Sequence, residues 1–173
     1  MKDKNRITIF IAVIAIFLIG LFVYAKPDKN ENKKINVDAS QVSTSSALKA
    51  TETFYDFGAI SMKNGNVSKI FKVSNSSNED INLEKLTTSC MCTVAYIIKP
   101  DGGRKGPFGM PGHGGAISKA NEIIKAGETR DIEVVYDPNA HGPAGVGMID
   151  RFIYLEDANN NKLQFEIKAN VTP

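Results

Sequence analysis

The sequence lacks the short motifs that mark most enzyme active sites. It contains no nucleophile elbow, no phosphate-binding glycine loop and no helical zinc-protease motif. Tryptophan is absent, and there are only two histidines and two cysteines. The carboxylates are scattered over strand faces and turns, where solvated charge is the ordinary explanation. We therefore expect a protein without enzymatic activity.

Most of the chain also lacks an excess of positive charge. Residues 1–34 carry seven Lys or Arg against three Asp or Glu. The totals of 21 and 19 leave 14 and 16 for residues 35–173, a net charge of −2. The basic pI is thus a property of the N-terminal segment, and the sequence gives no support for a nucleic-acid partner.

One long apolar run stands near the N-terminus. Residues 7–25 carry no charge, and basic segments flank them. A run of this length just reaches the roughly 20 residues that a membrane-spanning helix needs. We predict that residues 1–25 form an uncleaved membrane anchor, which places the C-terminal domain outside the cytoplasm on a single-pass cell-membrane protein. The alternative is a signal peptide cleaved after the small residue Ala25, with secretion of the remainder.

The rest of the chain divides into a polar segment and a β-rich segment. Residues 26–48 are rich in Lys, Asn and Ser and predict a flexible linker. Residues 49–173 show period-two apolar runs separated by Gly, Pro and Asn turns, with no long helical period. They predict an all-β antiparallel sandwich of about seven strands. The predicted core comprises Phe57, Phe71, Val73, Val134, Tyr136, Phe152, Tyr154, Phe165 and Ile167. A Gly-rich insertion at residues 101–122 is predicted as a long functional or disordered loop.

Several blocks of this domain, in order, are similar to a known family. The blocks are YDFGAI, FKVSNSS, TTSCMCT, KAGE and VVYDP, between about residues 54 and 171. They resemble the bacterial domain of unknown function 1573. That resemblance implies an immunoglobulin-like (Ig-like), Hydin-related β-sandwich in an exported protein, and no particular activity. Asn75 matches the asparagine that ends the family's second strand, whereas Met91 and Ala126 replace its usual Gly and Pro.

Both cysteines lie in the block TTSCMCT, and three roles are open for them. In an extended strand, Cys90 and Cys92 would be about 6.6 Å apart with parallel side chains, so a disulfide between them would need a bend. Parallel thiolates favour a soft metal, copper(I) first and zinc second. A redox role lacks the usual Cys-x-x-Cys spacing and a helix N-terminus. Simple burial of two small side chains is the third possibility.

The Gly-rich insertion supplies the predicted additional metal ligands. Met110 and His113 follow Cys92 closely in sequence, so little loop-closure entropy opposes their approach to thiols near the surface at a strand end. His141, on another loop, is a second candidate.

The sequence as a whole predicts a membrane-tethered, exported Ig-like binding or envelope module without enzymatic activity. Its expected partners are the membrane, through the N-terminal helix, and envelope proteins that could pair with a sheet edge. The first alternative is a soft-metal protein that uses Cys90 and Cys92 with Met110 and His113. The second alternative is a thiol redox protein.

Overall fold

The computed structural model describes residues 47–113 and 118–173. The predicted anchor, residues 1–25, and nearly all of the predicted linker lie outside the described residues. Strand β1 begins at Leu48, whose side chain is buried, so the linker prediction extended one residue too far. Among the described residues, no helix has the length and apolar character needed to cross a membrane.

The described residues form an all-β fold, as predicted. Two short 3-10 turns, Met62–Asn64 and Gly142–Gly145, accompany the strands. The strands are β1 (Leu48–Ala50), β2 (Phe54–Ser61), β3 (Val67–Asn75), β4 (Ile81–Thr88), β5 (Thr93–Ile98), β6 (Arg104–Phe108), β7 (Lys119–Ile124), β8 (Thr129–Tyr136), β9 (Gly147–Asp157) and β10 (Lys162–Thr172).

The strands build two five-stranded sheets rather than a seven-stranded sandwich. One sheet has the order β1-β3-β8-β5-β6 and the other β2-β10-β9-β4-β7. The predicted antiparallel pairing holds with one exception, because β2 runs parallel to β10. This exception arises because the N-terminal run changes sheet: β1 pairs with β3, and after three residues β2 pairs with β10.

The Gly-rich segment 101–122 is not one long loop, so that prediction was wrong. Strand β6 forms a hairpin with β5, closed by a hydrogen bond from the Lys99 N–H to the Gly103 carbonyl oxygen at 2.8 Å. Strand β7 joins the other sheet beside β4. Strand β6 has the sequence RKGPF with one buried residue, Phe108, so it shows no period-two apolar pattern.

The two sheets pack face to face around the core. Phe71 of β3 stacks on Phe165 of β10, with ring centroids 4.4 Å apart and planes 7° from parallel. Six of the nine predicted core side chains are fully buried, and they are Phe71, Val73, Val134, Tyr136, Phe165 and Ile167.

The core prediction was wrong at two aromatic residues. Phe57 is only half-buried, but it packs against the core as predicted. On β9, Phe152 and Tyr154 are half-buried, whereas the buried residues between and after them are Ile153 and Leu155. A shift of one residue moves every side chain of a strand to the opposite face. Because β9 is apolar on both faces, alternation alone could not fix which face points inward.

Candidate functional site

The two cysteines lie in a turn that crosses from one sheet to the other. The turn joins β4, which ends at Thr88, to β5, which begins at Thr93. The single hydrogen of the Thr88 hydroxyl is shared between two carbonyl oxygens, that of Thr93 at 2.8 Å and that of Cys90 at 3.0 Å from Oγ1. The Cys90 carbonyl also accepts from the Thr93 N–H at 3.1 Å. These bonds hold a bend where the sequence predicted a strand end.

The bend brings the two sulfur atoms into contact. The Sγ atoms of Cys90 and Cys92 are 2.7 Å apart, and both cysteines are free. Cys90 is half-buried, but Cys92 is only 2% exposed, so the prediction that both thiols lie near the surface was wrong for Cys92. The Met91 side chain between them is 51% exposed.

Two side chains from other elements contact the sulfurs. His141, which immediately precedes the turn Gly142–Gly145, places its Nε2 atom 3.2 Å from Cys90 Sγ. The Nε–H of Arg151 on β9 donates to Cys92 Sγ at 3.2 Å. Arg151 alternates with the buried Ile149 and Ile153, so it occupies a core-facing position. The site therefore holds two thiols, one imidazole and one guanidinium.

These contacts separate the acidities of the two thiols. Burial opposes ionisation of Cys90. The hydrogen bond from Cys92, the hydrogen bond between Cys90 and His141, and the charge of Arg151 outweigh burial and lower the pKa of Cys90 to about 7. Burial, followed by the hydrogen bond to Cys90, raises the pKa of Cys92 above its usual value. Cys90 is thus the thiol that ionises first.

We expect alkylation of Cys90 by iodoacetamide to reach half its maximal rate near pH 7. Below that pH the thiol is protonated and unreactive, because only the thiolate is a nucleophile. Peptide mapping of the full chain by mass spectrometry separates Cys90 from Cys92. The same chain unfolded in guanidinium chloride is the control and should react with the ordinary cysteine midpoint of about 8.5. A folded-state midpoint equal to that of the unfolded chain would contradict the assignment.

The structure groups the two cysteines with His141, the second candidate imidazole, and not with His113. The donor atoms of Cys90, Cys92 and His141 all lie within 4.8 Å of one another. His113, although described, lies outside this group and is exposed. Its N–H donates to the Met110 carbonyl in a turn of its own, at 3.2 Å. Met110 is half-buried there, and its role as a ligand stays a prediction.

Arg151 is the member of the site that sequence reasoning missed. The available signal was a charged residue at an inward position between Ile149 and Ile153. That signal can be recognised only when the inward-facing residues of β9 are known. The sequence interpretation placed Phe152 and Tyr154 inward, which put Arg151 on the outer face.

Part of this chain matches the model of a known protein family, and its fold is similar to that of solved structures. The model of a family described as "Protein of unknown function (DUF1573)" matches residues 48–102, a range that includes both cysteines. None of the curated proteins matches the chain.

Solved structures share the fold at low sequence identity. A protein of unknown function from Porphyromonas gingivalis W83 is 14% identical, with a TM-score of 0.52 over 78% of this chain and 51% of that one. A family 123 glycoside hydrolase from Clostridium perfringens is 7% identical, with a TM-score of 0.50 over 69% of this chain and 23% of that one. This chain therefore spans about half of the Porphyromonas protein and less of the hydrolase, and these likenesses concern the fold alone. Over residues 48–102, a range that includes both cysteines, the chain is similar to the family described as DUF1573.

Proposed function

We propose that this protein binds a soft monovalent metal ion, copper(I), through Cys90, Cys92 and His141. The observation that carries the proposal is the convergence of the two Sγ atoms and the imidazole within 4.8 Å. Thiolate ligands select copper(I), and a set of two thiolates and one imidazole also suits zinc. The ligand set alone therefore leaves two metals to be compared.

The charge of Arg151 favours the monovalent ion. Burial opposes the guanidinium charge, but the hydrogen bond to Cys92 outweighs burial and raises the pKa of Arg151. Two thiolates and one guanidinium carry a net charge of −1. Copper(I) brings that sum to zero, whereas zinc(II) leaves one positive charge in a partly buried site, where uncompensated charge is costly.

Binding requires a local rearrangement of the thiols. An ion held by both thiolates would lie between the two sulfurs, so the sulfurs would have to separate from the 2.7 Å seen here. The half-buried Cys90 side chain can move by rotation about its Cα–Cβ bond, whereas the buried Cys92 is held by Arg151.

We further propose that the domain works outside the cytoplasm as a non-enzymatic binding module tethered to the membrane. The uncharged run at residues 7–25 and the family resemblance support this location. An Ig-like arrangement is supported by the N-terminal run, which places β1 in one sheet and β2 in the other. Envelope proteins are the proposed macromolecular partners, since sheet edges can accept a further strand.

Titration of the reduced, anaerobic full chain with copper(I) against a competing chelator tests the metal site. We expect the double variant Cys90→Ser/Cys92→Ser to lose binding. His141→Ala should weaken binding by at least the roughly 10–100-fold loss that is typical when a group outside the ligand shell is removed, because His141 is proposed as a ligand itself. His113→Ala is the matched control and should bind like the wild type. Equal weak affinity in the wild type and the double variant would refute the site, and a loss in His113→Ala as large as in His141→Ala would reassign the imidazole ligand.

A further inference from the structure

We propose a second activity for the same turn: Cys90 and Cys92 form a thiol–disulfide exchange couple that reduces an exposed disulfide. Cys90 is the attacking thiol and Cys92 is the resolving thiol. This inference does not depend on metal binding. It rests on the sulfur contact and on the unequal burial of the two thiols, whereas the metal site rests on His141 as a third ligand.

Burial assigns the two roles. A disulfide that approaches from solvent can reach the half-buried Cys90, but it cannot reach Cys92, which is 2% exposed. Cys92 Sγ already lies 2.7 Å from Cys90 Sγ. The buried Cys92 thiol can therefore attack the Cys90 sulfur, but it cannot attack a disulfide outside the protein.

The backbone removes the usual obstacle to linking cysteines two residues apart. In an extended strand the pair would need a bend before it could join. Here the bend belongs to the folded chain, because the Cys90 carbonyl is held by the Thr93 N–H and the Thr88 hydroxyl. Arg151 fixes the position of Cys92 from the other side.

The exchange balances without another reactant. Cys90 passes its proton to Nε2 of His141, 3.2 Å away, and its thiolate attacks one sulfur of the substrate R–S–S–R. The substrate S–S bond breaks, and the first RS⁻ leaves with the proton from His141. Cys92 then attacks Cys90 Sγ, expels the second RS⁻ and gives up its own proton to it. The protein dithiol loses two electrons to become a disulfide, and the substrate disulfide becomes two thiols.

Glutathione disulfide is a suitable probe, because the full chain contains only two cysteines and every mass change reports on them. We expect the reduced, metal-free wild type to form the internal disulfide, release two equivalents of glutathione and retain no stable adduct. Cys92→Ser should stop at a mixed disulfide on Cys90. Cys90→Ser should show no adduct in the time that fully modifies Cys92→Ser.

Three controls keep the roles testable. Cys90→Ala and Cys92→Ala repeat the comparison in case a serine disturbs folding. In guanidinium chloride the difference between the two single variants should vanish, because burial is lost. Stable adducts on the folded wild type, or equal rates for the two single variants, would overturn the proposal.

The outcome separates this activity from metal binding. His141→Ala should weaken copper(I) binding and slow the first exchange step, but it should still end as the internal disulfide. A wild type that binds copper(I) yet forms no internal disulfide refutes the exchange couple alone. A wild type that forms the disulfide yet binds copper(I) no better than the double cysteine variant refutes the metal site alone.

Discussion

Replacing Phe71 or Phe165 with alanine is expected to lower the free energy of unfolding by about 3–5 kcal/mol. Both side chains are fully buried, and their rings stack across the two sheets at 4.4 Å. Each truncation leaves a cavity between hydrogen-bonded sheets that cannot collapse into it. Because domains of this size are stable by only about 5–15 kcal/mol, a single truncation should remove a large part of that stability. Denaturant unfolding followed by circular dichroism measures the loss.

Phe54→Ala is the matched control for these truncations, because Phe54 is 46% exposed. We expect that variant to change stability by about 0.5 kcal/mol or less, as for most surface substitutions. The double variant Phe71→Ala/Phe165→Ala should reveal a coupling of about 0.5–1.5 kcal/mol from the ring pair. If Phe71→Ala costs no more than Phe54→Ala, the packing of the two sheets described here is wrong.

The sequence was sufficient for the fold class because several strands bury only one face. In β8, Ile132, Val134 and Tyr136 are all buried, and they alternate with positions that are only half-buried. The same reasoning gave the wrong inward face for strand β9, because its aromatic side chains lie on the outer face of the sheet. There the inward face is fixed by pairing with neighbouring strands, and Phe165 of β10 lies opposite Ile153.

The candidate site was predictable only in part, for a related reason. Cys90 and Cys92 are close in sequence, so any bend brings them together. The approach of His141 depends on sheet pairing: Thr93 of β5 lies opposite Tyr136 of β8. The residues just before Thr93 and just after Tyr136 therefore meet, and the Asp137 N–H donates to the Cys92 carbonyl at 2.8 Å. Closeness in sequence led to the prediction that His113 approaches the cysteines. The pairing of β5 with β8 instead brings His141 to them.

Asn75 is the second residue whose replacement should be severely destabilising. Its side chain is 1% exposed and makes four hydrogen bonds at the end of β3. Nδ2 donates to the carbonyl oxygens of Glu79 at 2.7 Å and Ile124 at 2.9 Å. Oδ1 accepts from the N–H of Ser77 at 2.9 Å and from its hydroxyl at 2.7 Å. The amide thus joins the β3–β4 loop to the end of β7 in the opposite sheet.

We expect Asn75→Ala to cost about 1–3 kcal/mol for each buried group left without a partner. Asn75→Asp should be at least as destabilising at neutral pH, although it keeps the shape of the side chain. Its carboxylate could still accept from Ser77, but its second oxygen would face the carbonyls of Glu79 and Ile124.

The pH dependence of Asn75→Asp distinguishes this account from a loss of packing. Burial and the facing carbonyls should raise the pKa of the new carboxyl above its unfolded value. Protonation then favours the folded state, so the destabilisation from the charge should be absent below the unfolded pKa, grow as pH rises to the raised folded pKa, and stay constant above it. Asn170→Ala, at an exposed position on β10, should change stability by about 0.5 kcal/mol or less. Denaturant unfolding of the three variants across pH measures these effects. An Asn75→Asp variant as stable as the wild type at neutral pH would show that the amide donor bonds to Glu79 and Ile124 do not hold the end of β3.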